Sequence, residues 1–415
     1  MTRLSAGAIV SIPAVVLFGL QAHGEIRYRV REMGCNPETS CVSERAAGIN
    51  NLGQVTGTQG GSSAFLWDPV SGWQTIPPGA CGSISAQDIN DLGHIVGTAP
   101  ISTPSGGCVP QIFAMWTPDW GLIGLGYLPN SLSYSYGRAI NNLDQCAGFA
   151  NFQNQGQHAV FYSNETGIID VGELPGASAY SEAFGINDLG WVVGESGAET
   201  GLEAFVWSRP AGMTGLGDLR GHPADGVRSS ASDVNNLGEV VGYANSLNPP
   251  AFSEAFIWDA QNEMRGLGVL FNDESQGKFI NDQSEVVGVS YLTDSAGQRE
   301  KFGFVWDAKR GMRLLDALID PCGGGSISHF VPQGMNDRGQ IVGLPLNFNQ
   351  SVILTPYVPG DLNGDNTVDL VDLAALLLNF GLAPAGYADG DSNCDQHVDL
   401  SDLAALLSNF GETYP

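Results

Sequence analysis

The chain has 415 residues, 43% of them hydrophobic and only 15% charged, with 56 glycines and a formal net charge of −27. That apolar content belongs to a folding chain rather than a disordered one, and sparse charge with abundant glycine suits short strands joined by tight turns. Such acidity excludes nucleic acid and anionic membrane surfaces as partners and suits a protein that binds cations.

The N-terminus, MTRLSAGAIVSIPAVVLFGLQAHG, places an arginine before an apolar run from Ala6 to Leu20, with small residues at Ala22 and Gly24. This order reads as a secretory signal peptide over residues 1–24, its apolar run too short for a membrane span. It predicts a secreted, extracellular or cell-surface protein with no membrane span after cleavage. Export permits disulfides, and Cys35 with Cys41, and Cys81 with Cys108, are the candidate pairs among seven cysteines. Cys322 falls in a loop on the same face as these four. Cys146 falls within a predicted strand and is expected to be buried and free, whereas Cys394 falls in an acidic loop and is expected to be exposed.

From Glu25 to Tyr357 the chain repeats itself. GINNLGQVTG at Gly48 returns as DINDLGHIVG at Asp88, AINNLDQCAG at Ala139 and GINDLGWVVG at Gly185. DVNNLGEVVG at Asp233, FINDQSEVVG at Phe279 and GMNDRGQIVG at Gly334 follow, at a period of about 48 residues. Each unit holds four short apolar stretches, as in YSEAFGIN, WVVGES, LEAFVWS and GMTGLGDLRG of the fourth copy. Seven such units predict a mainly β fold, a seven-bladed β-propeller of four-stranded blades spanning residues 25–357. Asn50, Asn51 and Gly53 are read as hairpin chemistry, which leaves no need for a repeated metal or sugar site there. The seventh unit lacks a fourth strand, and EIRYRVREMG at Glu25 is predicted to supply it and so close the ring. The third-strand tryptophans Trp67, Trp116, Trp207, Trp258 and Trp306 are expected to pack between blades.

No nucleophile elbow, zinc-protease motif or phosphate loop occurs, so no catalytic residue is assigned. The four propeller histidines are scattered over different repeat positions, with His158 expected on the surface. Glu44, Glu182, Asp88 and Asp233 are read as lying in first strands near the axis, where a carboxylate pair could perform acid–base chemistry.

After Pro359 there are ten acidic residues and no lysine or arginine. DLNGDNTVDLVDLAALLLNFG at Asp361 and DSNCDQHVDLSDLAALLSNFG at Asp391 agree at fifteen of twenty-one positions. Oxygen donors recur at loop positions one, three, five, seven, nine and twelve, the spacing for a hard cation such as Ca2+. The first set is Asp361, Asn363, Asp365, the Thr367 carbonyl, Asp369 and Asp372; the second is Asp391, Asn393, Asp395, the His397 carbonyl, Asp399 and Asp402. Two ions are expected. A short helix follows each loop, with Leu373, Leu376, Leu377 and Phe380 on one face, and likewise Leu403, Leu406, Leu407 and Phe410.

The segments SAFLW, EAFVW and EAFIW, with the IN-N/D-xG-xVVG segment, resemble the HAF repeat, an extracellular bacterial family; the resemblance implies secretion but no reaction. Copy three departs at Asp144 and Cys146, copy six at Gln283 and Ser284. The paired loop–helix units over residues 358–415 resemble a type I dockerin, an EF-hand-like all-α domain that binds a cohesin domain. That resemblance places partner contacts at Leu370, Val371, Leu378, Leu400, Ser401 and Ser408. Together they imply a non-catalytic binding or scaffold propeller attached through its dockerin to a cohesin-bearing partner or cell-surface assembly. The propeller's own ligand would be an extracellular polysaccharide or protein. The alternative is a dockerin-borne carbohydrate-active enzyme, a glycoside hydrolase or lyase in polysaccharide catabolism.

Overall fold

A computed structural model describes residues 26–414 except for the stretches 38–43, 80, 103–104, 129–130, 153–155, 177–179, 200, 221–227, 246–252, 272, 295–296, 321–326, 349 and 394. The expected signal peptide, Cys41, Cys322 and Cys394 lie outside the described residues.

Seven four-stranded antiparallel sheets form the blades of a propeller. Blade 1 runs Arg45–Ile49, Val55–Gln59, Ser63–Asp68 and Gly72–Ile76, and blades 2 to 6 repeat this order. The inner strands are apolar on both faces because each blade is covered on both sides: Val55, Phe65, Val96 and Phe205 are fully buried. The glycine of each VVG segment has a specific cause. The first strand carries a bulge, between Ala46 and Gly48 in blade 1, that swings a carbonyl over its neighbour. A Cβ at Gly57 would lie 2.0 Å from the Arg45 carbonyl oxygen, and one at Gly148 1.8 Å from that of Tyr136. Only glycine fits beneath that bulge.

Closure follows the sequence expectation. Arg27–Glu32 pairs antiparallel with Val352–Tyr357, Arg27 opposite Tyr357 and Glu32 opposite Val352, completing blade 7 beside Ile341–Leu344 and Val331–Met335. Tyr28, 1% exposed, packs in a core with Leu315, Leu318, Ile341 and Leu354. Blade 6 departs from expectation. Its last strand is only Gly311–Leu314, and the chain then turns into a one-turn helix, α1, Leu315–Leu318. The turn lets both terminal leucines drop into the closure core instead of alternating along a strand. Cys81 and Cys108 form a disulfide, Cys146 is buried and free, and Cys35 is disulfide-bonded. Trp67, Trp116 and Trp207 are buried, with Trp258 and Trp306 packed partly buried against neighbouring core.

Ile26 and Val358–Tyr414 cluster as a second compact unit, apart from Arg27–Tyr357. It contains α2, Leu370–Leu378, and α3, Leu400–Ser408, each capped by an aspartate, Asp369 or Asp399. Val368, Leu376, Val398, Leu406 and Tyr414 form its core. Leu377, Phe380, Leu407 and Phe410, read as sharing one helical face with Leu376 and Leu406, are 52%, 45%, 52% and 44% exposed. Valines from the loops fill the space beside Leu376 and Leu406, so only one row from each nine-residue helix enters the core.

Tyr28→Ala removes the largest buried group of the closing strand. It is expected to lower the propeller's unfolding free energy by about 3–5 kcal/mol, the usual cost of deleting a buried aromatic side chain. Denaturant unfolding measures this, and an unchanged midpoint would show that the strand does not close the ring.

Candidate functional site

The repeated Asn-Asn/Asp turns converge on the axis. Asn50 Oδ1 accepts the N–H groups of Leu52 (3.1 Å) and Gln54 (2.9 Å), the expected hairpin chemistry. Its Nδ2 also reaches the next blade and donates to the Asn90 carbonyl at 2.8 Å. The same bond joins Asn90 to Asn141, Asn141 to Asn187, Asn187 to Asn235, Asn235 to Asn281 and Asn336 to Asn50.

Asn281 Nδ2 donates to Glu285 instead, so this set stops one link short, whereas the following residue closes a full ring. Asn51 N–H donates to Asp91 Oδ1 (2.7 Å), Asp91 to Asn142 (2.9 Å), Asn142 to Asp188 (2.8 Å) and Asp188 to Asn236 (2.9 Å). Asn236 donates to Asp282 (2.8 Å), Asp282 to Asp337 (2.9 Å) and Asp337 back to Asn51 (2.8 Å). Amide and carboxylate alternate, so Asn51, Asn142 and Asn236 also donate Nδ2 to the next carboxylate. Seven is odd, and Asp282 therefore meets Asp337. These inter-blade bonds were not foreseen from the sequence, because the same residue types already satisfy a hairpin. A second missed set lies farther out. Ser135 Oγ accepts Phe113 N–H (3.0 Å) and donates to the Gly126 carbonyl (2.8 Å), and Ser181, Ser229 and Ser275 repeat this between their own blades. The available signal was a serine recurring six residues before the first Asn.

The departures from the repeat are compensated by neighbours. Asp144 and Ser284 replace the turn glycine yet hold φ of 57° and 59°, a left-handed conformation that favours glycine. Asp144 receives His94 of the preceding blade at 2.8 Å and Asn90 Nδ2 at 2.9 Å. Ser284 Oγ donates to Glu239 Oε2 of the preceding blade at 2.6 Å. At the matching places Gln54 and Gln145 pack on Gly93 and Gly190.

These turns surround an axial cavity of about 210 Å³. Asp88 and Asp233 line it, each bridging two blades: Asp88 accepts Ile89 and Ile140 N–H (2.8 and 3.1 Å), Asp233 accepts Val234 and Ile280 N–H (2.8 and 3.0 Å). Both remain partly accessible because they face the lumen, though protein surrounds them. Burial pushes Asp88 from its ordinary 3.8 to about 6 against the pull of its two backbone donors. Burial, with the charges of Asp88 and Asp337, pushes Asp233 to about 7. The other two acidic candidates are engaged elsewhere. Glu182 holds Arg138 (2.6 Å) and Gln157 (2.7 Å), and buried Glu44, one residue before its strand, accepts Asn36 N–H (3.1 Å). His158, expected on the surface, is instead largely covered, pairing with Asp170 at 3.0 Å beside Phe152.

In the C-terminal unit the two loops make matching bonds. Asp361 accepts Gly364 and Asn366 N–H (2.7 and 3.0 Å), and Asp391 accepts Asp395 and Gln396 N–H (3.2 and 2.9 Å). Asp372 gathers the N–H groups of Leu362, Asn363 and Asp369, and Asp402 those of Ser392, Asn393 and Asp399. Asp365 and Asp395 accept the N–H groups of Thr367 and His397. Asn366 and Gln396, at loop position six, both sit at φ 67°. Among the described residues no three acidic, histidine or cysteine side chains converge tightly enough to cage a metal as they stand. The donor chemistry nevertheless fits Ca2+. All side-chain donors are oxygen, and Asp361, Asp372, Asp391 and Asp402 are at most 5% exposed, with no lysine or arginine after Pro359. Of the partner residues implied by resemblance, Leu370, Val371, Leu378 and Leu400 are 70%, 58%, 85% and 72% exposed. Ser401 is exposed and bonds Asp399, while Ser408 is half-buried and bonds the Ala405 carbonyl.

No protein-family model matches the chain, and no characterised protein does. Among solved structures a puromycin hydrolase is similar at 15% identity over 76% of this chain and 51% of its own, with a TM-score of 0.46. This chain thus spans about half the length of that protein. AofleA of Arthrobotrys oligospora is similar at 12% identity over 70% and 90% of the two chains, TM-score 0.32. The soluble aldose sugar dehydrogenase of Escherichia coli is similar at 11% over 80% and 99%, TM-score 0.32. At these values none bears on what this chain does.

Raised carboxylates fix the sign of a pH effect. The stability Asp88 and Asp233 contribute is complete below their unfolded value of 3.8 and is lost as pH rises through about 6 and 7. Melting temperature is expected to fall over that window, and Asp88→Asn with Asp233→Asn to flatten the fall relative to wild type. Parallel pH profiles of the two proteins would contradict it.

Proposed function

We propose that the chain is a secreted binding propeller whose C-terminal unit is a calcium-dependent, dockerin-like module attaching it to a cohesin-like partner or cell-surface assembly. The observation that carries this reading is the matched pair of loops. Both adopt the left-handed conformation at position six, and both bury acidic side chains with no lysine or arginine after Pro359 to neutralise them. Two Ca2+ ions would supply the missing positive charge through the twelve donors named above, the second site being weaker because Gln396 tolerates that conformation less well than Asn366. Each loop is tied to the other half of the unit: Val368 pairs with the segment after α3, and Val398 with the segment after α2. Binding at one loop therefore steadies both. Leu370, Val371 and Leu378 form the more apolar candidate docking face, with Leu400, Ser401 and Ser408 its polar counterpart. The repeats' resemblance to HAF proteins supports export. No described helix is long and apolar enough to cross a membrane.

The enzyme reading, a polysaccharide hydrolase or lyase, is favoured by the raised pKa values of Asp88 and Asp233. Their cavity of about 210 Å³ lies below the range of about 300–1,000 Å³ usual for small-molecule sites, and a polymer needs more. Binding without catalysis is the better supported reading.

Removing Ca2+ leaves like charges unshielded, and helices this short do not persist alone. With chelator, hydrogen-exchange protection over α2 and α3 is expected to vanish while the VVG strands stay protected, and Asp361→Ala with Asp391→Ala to act likewise. A pull-down from the secreted fraction should lose its partner under the same treatment. Helices that remain protected without Ca2+ would overturn the metal reading and weaken the dockerin assignment with it.

A further inference from the structure

Leu52, Leu92, Leu143, Leu189 and Leu237 occupy the same turn position in blades 1 to 5 and are 53%, 55%, 61%, 62% and 64% exposed. The turn does not require leucine. Only its backbone N–H is used, donating to the preceding asparagine, as Leu52 does to Asn50. Blades 6 and 7 place Gln283 and Arg338 there with the same bond. Each leucine directly follows a ring residue, so the five form an apolar arc around the four carboxylates Asp91, Asp188, Asp282 and Asp337. The arc also borders a groove. Between Leu143 and Leu189 lies a cavity of about 370 Å³, lined by Phe161 and Trp191 as well.

We propose that this face docks a protein segment presenting a lysine or arginine flanked by apolar side chains. The basic group would meet the carboxylate ring, the flanking side chains the leucine arc, and one of them the groove beside Trp191. Charge decides the occupant. Among the described residues none of the four carboxylates is ion-paired, their partners being amides and backbone N–H groups. A second copy of this chain would bring the same acidic ring against it and be repelled, as would an anionic membrane. A purely ionic ligand would leave the arc uncovered. This inference is independent of the calcium reading, since every residue it uses belongs to the propeller.

The test is selection of displayed random peptides, roughly a dozen residues long, on the full-length protein in Ca2+, counter-selected on a variant with all five leucines changed to serine. Enriched peptides are expected to carry lysine or arginine beside leucine, isoleucine, phenylalanine or tryptophan. Their affinity should fall at least about tenfold with Asp91→Asn plus Asp188→Asn, and in high salt. Asparagine already occupies this position in three blades, and Leu189→Ser alone should weaken binding if the fivefold variant misfolds. Enrichment without basic residues, no enrichment over the counter-selected variant, or undiminished affinity in the aspartate variant would overturn the proposal. So would leucine-dependent binding to phosphatidylcholine vesicles, or a leucine-dependent dimer in sedimentation.

Discussion

Seven hairpins depend on one cyclic set of hydrogen bonds. At each turn tip a backbone N–H donates to the side-chain oxygen of the next blade, and after seven steps the set returns to Asn51. A turn tip would normally give its amide to water. Here every tip is satisfied by a neighbour, so no blade can tilt without breaking a bond on each side. Alternating Asn with Asp lets three asparagines donate twice and separates the carboxylates. An odd number cannot alternate throughout, and the fault falls between Asp282 and Asp337. Blades 6 and 7 are also where α1 follows the last strand and where the N-terminal strand completes the last sheet.

The ring also sets what substitutions the turns tolerate. A left-handed residue is needed after the exposed position, and glycine supplies it in five of seven copies. Where Asp144 or Ser284 stands instead, the preceding blade offers His94 or Glu239 to bond it. Strain at one turn is offset across an interface rather than within its own hairpin.

Much of this was legible in the sequence. The period, four apolar stretches per unit and the missing fourth strand of the seventh unit together specify a closed propeller, because an open sheet edge is costly and EIRYRVREMG is the one unused strand. Cys81 and Cys108 could be paired because they flank two strands of one blade. The inter-blade bonds of Asn50, Asn51 and Ser135 were not legible. Their residue types already suit turns and strand ends, and only the angle between blades decides where the spare donor points. The exposure of Leu377 and Phe380 was equally hidden, since helical spacing gives a face but not how much of it a small partner can cover. The proposed loop donors rest on spacing alone, and the burial of Asp361, Asp372, Asp391 and Asp402 with no lysine or arginine after Pro359 adds a physical reason for a cation.

Amide hydrogen exchange at Asn51, Asp91, Asn142, Asp188, Asn236, Asp282 and Asp337 tests the cyclic constraint most directly. If the ring holds the blades, these turn-tip amides exchange as slowly as the VVG strands. Asn142→Ala, which removes one acceptor, then speeds exchange at tips in blades that do not touch it. Fast exchange at all seven in the unmodified protein, or an effect confined to the Asp91 amide that Asn142 accepts, would contradict it and leave the blades held by apolar packing and the other inter-blade bonds.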